Sequence, residues 1–257
     1  MLFSFSMRAA QRHLKIQEII HSRDFIDLES LGHSLEVSES TIRRDLMELE
    51  KKGIIKRVHG GALSNPSREE ILDYRWNSAR YHEEKKRIGK AAASLIEDGQ
   101  TLILDGGSTV AELAKNLLGR SLQVITNSLP IAQIFSNSQS VETTLTGGFL
   151  YPRLGVMLGP FCEQMLGSVS ADVLIMGIGG ITAGGLSNSN TLIVGSERKM
   201  IEVSQKVIVL ADHSKFGRNA MVHLAPLETA NRVVSDQQLA PEFQELLRQH
   251  QVELLLA

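Results

Sequence analysis

Ser38, Ser40, Thr41, Arg43 and Arg44 crowd into one seven-residue window, and Lys56, Arg57, His59 and Gly60 follow shortly after Gly53. Hydroxyls and guanidinium groups at this density are the groups that read base edges. Lysine, arginine and imidazole on a short β-branched run suit backbone phosphates. A second set of polar residues closes five apolar runs: Asp105-Gly106-Gly107-Ser108-Thr109, Thr126-Asn127-Ser128, Thr146-Gly147-Gly148, Gly177-Ile178-Gly179-Gly180 and Asp212-His213-Ser214-Lys215. Glycine lets backbone approach a ligand closely, hydroxyls and amides orient it, and a helix start offers free N–H groups to an anion. Lys215 adds a cation. The two sets predict two chemistries, nucleic-acid reading near the amino terminus and small-anion binding beyond it.

The first set needs helices to present it. Ile16, Ile19 and Ile20 share one helical face. Leu28, Leu31 and Leu35 share another behind a capping Asp27, and Ile42, Leu46 and Leu49 share a third behind a capping Ser38. Glu39 suits the positive end of the third helix, and Gly53 stops it. The tight connection from Leu35 to Ser38 makes the last two a helix-turn-helix. Turning the apolar stripe inward leaves Ser40, Thr41, Arg43, Arg44 and Met47 outside, where a recognition helix needs them. The run IIKRVHGGAL, from Ile54, then reads as a two-stranded wing broken at Gly60-Gly61. From Ser38 to Gly61 there are six Lys and Arg against four Asp and Glu. Charge alone would favour the solvated face of an amphipathic helix; the tight turn, the capped third helix, the paired arginines and the basic glycine wing decide for DNA.

The second set needs strand ends. TLILD, LQVIT, ETTLTG, DVLIMGIGG, KVIVLAD, RVVSD and VELLL are short runs rich in Val, Ile and Leu, with helix-length segments such as Ser108–Leu118 and Thr191–Gln205 between several of them. That alternation predicts an α/β domain with a largely parallel sheet, whose ligands lie beyond the carboxyl ends of the strands. The Gly177–Gly180 loop lacks the spacing of a dinucleotide fingerprint. The expected organisation is a winged helix-turn-helix domain at 7–63, a linker at 64–77 opening with SNPSR, and an effector-sensing α/β domain at 78–257. A helix carrying Ile88, Ala91, Ala92 and Leu95 should begin the last. Its charge cluster, Glu83 to Arg87, reads as a solvated side, with a second DNA contact as the alternative.

The net charge of −2 over 257 residues excludes a chain that coats nucleic acid or membrane nonspecifically, so any DNA contact must be a local patch. One cysteine, Cys162, excludes an intrachain disulfide framework and reads as a small buried side chain rather than a reactive thiol. The start MLFSFSM lacks a basic flank and is too short to span a bilayer, and Met7 is a second candidate start. The expectation is a cytoplasmic protein with no membrane partner. The eight histidines are scattered, and neither a metal nor a cofactor is expected.

Thr41-Ile42-Arg43-Arg44-Asp45-Leu46, Leu49-Glu50, Gly53 and Arg57-Val58-His59-Gly60-Gly61-Ala62 resemble the TIRRDL…LE…G…R.HGGA hallmark of the DeoR family of bacterial sugar-metabolism regulators. The strand-end set is similar to that family's effector domain, DSGTT…TNS…GG…G..GI…AD.SK, whose fold is similar to ribose-5-phosphate isomerase and the CoA transferases. The resemblance implies that Asp105, Gly107, Ser108 and Thr109 hold the phosphate of a sugar phosphate. Thr126, Asn127, Asp212 and Lys215 would line the rest, and Gly106, Ser128, Gly147, Gly148 and Gly179 complete the loops. The first loop is DGGST here, which keeps the cradle. Glu197 stands where many members carry lysine, so a less anionic ligand becomes admissible; Arg198 and Lys199 are neighbouring cations on other helical faces.

The expected function is a ligand-responsive transcriptional regulator, a repressor in its simplest form. It would act as a homo-oligomer (dimer or tetramer) on double-stranded operator DNA and be released by a sugar phosphate or related metabolite. The alternative is a sugar-phosphate isomerase or CoA-transferase-like enzyme carrying an accessory DNA module, with Asp105, Asp212 and Lys215 in acid–base roles. Gly177–Gly180 offers that alternative no carboxylate base. A purely architectural DNA binder would leave the polar strand ends without a purpose.

Overall fold

Short helices with a single apolar stripe are unstable alone and must share a core. The computed structural model describes residues 8–21, 25–64 and 74–257; the alternative start Met7 and most of the expected linker lie outside the described residues. The chain forms two compact units, Met1–His82 and Glu83–Ala257.

In the first unit α1 (Ala9–His21), α2 (Leu28–Leu35) and α3 (Glu39–Lys51) bury Ile16, Ile20, Leu31, Leu35, Ile42, Leu46 and Leu49 in one core. Asp27 caps α2 by accepting from Ser30 N at 2.7 Å, and Ser38 caps α3 by accepting from Thr41 N. Glu36, at φ 54°, turns the chain between the two helices. Past α3, Ile54 N donates to Leu49 O at 3.1 Å, and Gly53 at φ +73° makes that closure possible.

The wing has three strands where two were expected. β2 (Ile55–Val58) and β3 (Gly61–Ser64) form the anticipated hairpin, and β1 (Phe25–Asp27) pairs with the other edge of β3. Only three residues long, β1 runs straight into the α2 cap and leaves no alternation to read. It also explains the second glycine of the turn. A Cβ on Gly61 would lie 2.2 Å from Ile26 O and 2.7 Å from the Phe25 ring, so only glycine lets the two strands meet there.

α1 is fixed to α3 by a buried charge. Asp45 lies on the core stripe with Ile42, Leu46 and Leu49; it accepts from Arg12 Nε at 2.5 Å, from Arg12 Nη2 at 3.0 Å and from His13 Nε2 at 2.9 Å. Burial opposes ionisation of Asp45, but the bonds from Arg12 and His13 outweigh it and hold the carboxyl below its ordinary value.

The second unit opens with α5 (His82–Ala93), which follows a short α4 (Tyr74–Ala79) of the first. All seven apolar runs become strands of one parallel sheet: β4 (Thr101–Leu104), β5 (Leu122–Thr126), β6 (Val141–Leu145), β9 (Ala171–Gly177), β12 (Ser204–Leu210), β14 (Arg232–Ser235) and β15 (Glu253–Leu256), in the order β15-β14-β12-β9-β4-β5-β6. The chain runs outward from β4 to β6, then returns beside β4 and runs the other way. The order thus reverses between β4 and β9, and the topological switch point, where open α/β sheets bind ligands, lies past the carboxyl ends of those two strands.

α6 (Ser108–Asn116) and α7 (Leu129–Phe135) follow β4 and β5; α8 (Pro160–Leu166), α9 (Thr191–Glu202) and α10 (Pro241–Gln249) follow later. α9 stops before the expected Gln205, because Ser204 to Gln205 already belong to β12. The hairpin β7 (Phe149–Tyr151) and β8 (Val156–Leu158) was not anticipated, nor was the small antiparallel sheet β10 (Gly180–Thr182), β11 (Gly185–Asn188) and β13 (Val222–Ala225). The charge cluster on α5 is not wholly solvated. Lys85 is 2% exposed because it shares the face of Ile88, Gly89 and Ala92.

Replacing Arg12 by Met strands the buried Asp45 carboxylate and should lower the unfolding free energy of the first unit by ~3 kcal/mol, measured by denaturant titration. Adding Asp45→Leu should recover most of that loss; a double variant no more stable than Arg12→Met would show that the charge is not the cause.

Candidate nucleic-acid interface and effector site

On α3 the structure places Ser38, Ser40, Arg43, Arg44 and Met47 at the surface, with Thr41 half-buried. Ser38 Oγ lies 2.9 Å from Ser40 Oγ and 3.0 Å from Thr41 Oγ1, so the three hydroxyls form one patch at the start of the helix. Arg43 reaches back one turn to Glu39 at 3.2 Å, whereas Arg44 makes no ion pair among the described residues. Lys56, Arg57, His59 and Gly60 are exposed on the wing. Arg57 has a structural task that its type did not reveal: its backbone N donates to Glu50 Oε1 at 2.8 Å and its Nε to Glu50 Oε2 at 2.7 Å. One carboxylate thus holds the wing to the end of the recognition helix.

In the second unit the polar residues gather where the sheet topology opens. α6 begins at Gly107, whose φ of +152° only glycine adopts readily, and no side chain caps it. Its first-turn N–H groups and the positive end of the helix therefore lie at the carboxyl end of β4, beside Asp105, Ser108 and Thr109, all of them buried. A Cβ on Gly106 would overlap Val156 Cγ1 at 2.2 Å and approach Ser128 Cβ at 3.7 Å, so the β4 and β5 loops touch.

Several expected lining groups are committed to that scaffold. Thr126 Oγ1 donates to Leu104 O at 2.6 Å and accepts from Ser128 N at 3.0 Å. Ser128 caps α7 through Ile131 N at 3.4 Å. Asn127 Nδ2 donates to Met157 O at 3.3 Å, which aims Oδ1 elsewhere. Gly147 and Gly148 end β6, two strands from the switch point; Thr146 before them meets the buried Cys162 Sγ at 3.4 Å, and burial pushes that thiol up. Gly179 is required where Asn188 Oδ1 would stand 2.9 Å from a Cβ. Beyond β12, Asp212 caps the turn His213–Lys215 by accepting from Ser214 N at 3.1 Å and from the Ser214 hydroxyl, and Lys215 is half-buried. His213 Nδ1 stands 3.0 Å from the fully buried Asp236, whose hydrogen bond raises the imidazole.

Glu197 was singled out only for its charge, and the structure shows what it does. It is 1% exposed on α9, and its Oε1 accepts from Asn188 Nδ2 at 2.5 Å. Neither neighbouring cation substitutes for a lysine there. Arg198 donates to Leu224 O and His223 O, and Lys199 pairs with Glu202 at the surface. Burial raises Asp105 from 3.8 to about 7, against the opposing Gly106 N–H. Glu197 is pushed well above its ordinary value by burial and then by the charge of Asp105, so the two carboxyls feel each other. A depression of about 330 Å³ at the opposite end of the sheet is lined by Asp98, Gly99, Gln100, Asp172, Val173, Gln205 and Lys206. It lacks the helix start and buried hydroxyls that mark the switch-point end. Among the described residues no three His, Cys, Asp or Glu side chains group as a metal ion would need, and no helix is long and apolar enough to cross a membrane.

A carboxyl raised by folding keeps a proton that the unfolded chain has lost. The stability it contributes is full below its ordinary value of 3.8 and drains away as pH rises through about 7. The unfolding temperature should therefore fall between about pH 5 and pH 8, and fall less steeply in Glu197→Gln. Parallel curves for the two proteins would contradict the protonated pair.

Residues 12–68 match the DeoR-like helix-turn-helix domain, and residues 80–237 match the DeoR C-terminal sensor domain. The chain is 34% identical over 250 residues to the HTH-type transcriptional repressor GlcR of Bacillus subtilis strain 168, covering 97% of each chain. It is 34% identical over 252 residues to the glycerol-3-phosphate regulon repressor of Escherichia coli K12, covering 97% of this chain and 100% of that one. A ribose 5-phosphate isomerase A from Methanocaldococcus jannaschii superposes with a TM-score of 0.40 at 17% identity, over 52% of this chain and 54% of that one; likeness at this level decides nothing about function.

Proposed function

Since the chain belongs to the DeoR family of DNA-binding transcriptional regulators, we propose that it is a homo-oligomeric repressor of carbohydrate-metabolism genes that lets go of its operator when a phosphorylated sugar occupies the second unit. The observation that carries the effector reading is the uncapped start of α6 among buried hydroxyls at the switch point. Backbone N–H groups and a helix dipole stabilise a phosphate without any lysine side chain beside it. Names among the relatives fit this class, one being a glycerol-3-phosphate regulon repressor.

On the DNA side, Arg44 and the Ser38–Ser40–Thr41 hydroxyls would meet base edges, with Arg43 joining them when it leaves Glu39. Lys56, His59 and the Gly60 turn would follow the backbone phosphates, and Arg57 would set the angle of the wing. One short helix reads too few bases for adequate specificity, which is why two or more copies on spaced half-sites are proposed. Effector and operator then influence each other through a coupling free energy, typically a change of roughly 5–150-fold in affinity.

Arg44→Ala should weaken operator binding about tenfold or more in a gel shift while leaving effector binding unchanged, since a bidentate base contact is worth ~1–3 kcal/mol. An undiminished shift would remove Arg44 from the reading surface. Ser108→Ala combined with Thr109→Val should weaken calorimetric binding of phosphorylated sugars about tenfold and leave the gel shift intact. Unchanged binding in that variant would place the phosphate elsewhere.

A further inference from the structure

A hydrogen-bond acceptor buried without a donor is costly, and such atoms in a ligand crevice point to what the ligand brings. Among the buried side-chain oxygens without a hydrogen-bond partner are Glu197 Oε2, Asp212 Oδ2 and Asn127 Oδ1. Each belongs to a residue only 1% exposed. Asn127 Oδ1 can only accept, and a carboxyl oxygen accepts when ionised and donates when protonated, so each is open to a ligand group. The strands that deliver Asn127 and Asp212 are β5 and β12, which lie on either side of β4 and β9. Three strand spacings, roughly 14 Å, thus separate the outer two, wide enough for a small phosphorylated metabolite between them.

Glu197 is the informative one. Asn188 fixes its Oε1, which leaves Oε2 to take a donor, and Asp105 is the charged group it feels. The cations of the same helix are turned away, Arg198 to two backbone carbonyls and Lys199 to Glu202. No grouping of three metal-ligating side chains occurs among the described residues, which disfavours an ion as the missing donor. Burial already disfavours the charged form of Asp105 and Glu197 here, and the cations of α9 are turned away, so a ligand carboxylate would be buried without a compensating charge from that helix.

We propose that the Asp105–Glu197 end of the site is a donor-reading subsite. Glu197 Oε2, left open while Asn188 holds Oε1, exchanges hydrogen bonds with hydroxyl groups of the effector or, ionised, accepts from its ammonium group, and the site excludes effectors with a carboxylate there. This rests on the phosphate reading above and deepens it: the α6 start holds the anionic end, and the carboxyl pair selects polyol or amino-sugar phosphates over phosphorylated sugar acids.

The test is calorimetric titration of the full chain with glucose 6-phosphate, glucosamine 6-phosphate, 6-phosphogluconate and inorganic phosphate. At least one of the first two should bind about tenfold or more tightly than the acid. An advantage for glucosamine 6-phosphate over glucose 6-phosphate assigns ammonium as the donor, and the reverse assigns hydroxyl; either supports the subsite. In Glu197→Gln, with folding checked by circular dichroism, the gap to the acid should shrink to about threefold or less. Wild-type binding of 6-phosphogluconate as tight as that of the other two overturns the subsite, and this arm needs no variant to fold. A gap that survives intact in Glu197→Gln removes Glu197 from it. Binding of inorganic phosphate with none of the three sugars also overturns the subsite but leaves the phosphate cradle standing, whereas no binding of any of the four overturns both.

Discussion

A charged side chain on the core-facing stripe of a helix must find compensation, because taking an ion out of water costs several kcal/mol even after the protein relaxes (on the order of 5 kcal/mol). Five helices here bury such a residue, Arg12 on α1 and Glu112 on α6 among them, and how the other three are compensated organises the molecule. Asp45 on α3 receives Arg12 and His13, and that bond ties the recognition helix to α1. Lys85 on α5 is engaged within the fold as well. Glu197 on α9 differs: Asn188 serves one oxygen and nothing serves the other. The same physics that builds the first unit leaves an open demand in the second, and that demand sits at the sheet's switch point.

The surroundings of the site are made rigid so that a few groups can stay available. Thr126, Ser128 and Gly106 are committed to joining the β4 and β5 loops, and the Met157 carbonyl holds Asn127 in one orientation. Such a frame orients hydrogen-bonding atoms before a ligand arrives, which limits the ordering cost on binding. Residues read from the sequence as ligand contacts therefore divide into two kinds. Some keep a polar atom open, and others are spent on joining the loops.

Much of this was legible. The central sheet strands announced themselves because both faces of a parallel sheet are buried there, which demands unbroken runs of Val, Ile and Leu; the edge strand β6, VETTL, is largely exposed. The caps at Asp27 and Ser38 were visible because few residue types can satisfy a helix start. The missed elements lack such signals: β1 has three residues, and GIT, GLSN and VHLA alternate too weakly to declare β10, β11 and β13. The buried charges did leave a trace. Lys85 stands three and four residues before Ile88 and Gly89, Asp45 three after Ile42, and Glu197 three after Val194, so each interrupts a stripe that is otherwise apolar or small. Spacing predicts that such a residue is buried; only the fold supplies its partner, since Arg12 lies 33 residues from Asp45.

The ion pairs on the reading surface also bear on how the protein meets a polyanion. Arg43 and Arg57 already hold the carboxylates of Glu39 and Glu50 in the free protein. Contact with a phosphate is then an exchange of one anion for another, with no net gain of paired charge at those two positions. Counterions shed from the duplex still favour association, but each freed glutamate collects a cation of its own in return. The ionic-strength dependence of binding should thus be gentler than a census of basic residues implies, and discrimination among sequences would rest more on Arg44 and the serine and threonine hydroxyls.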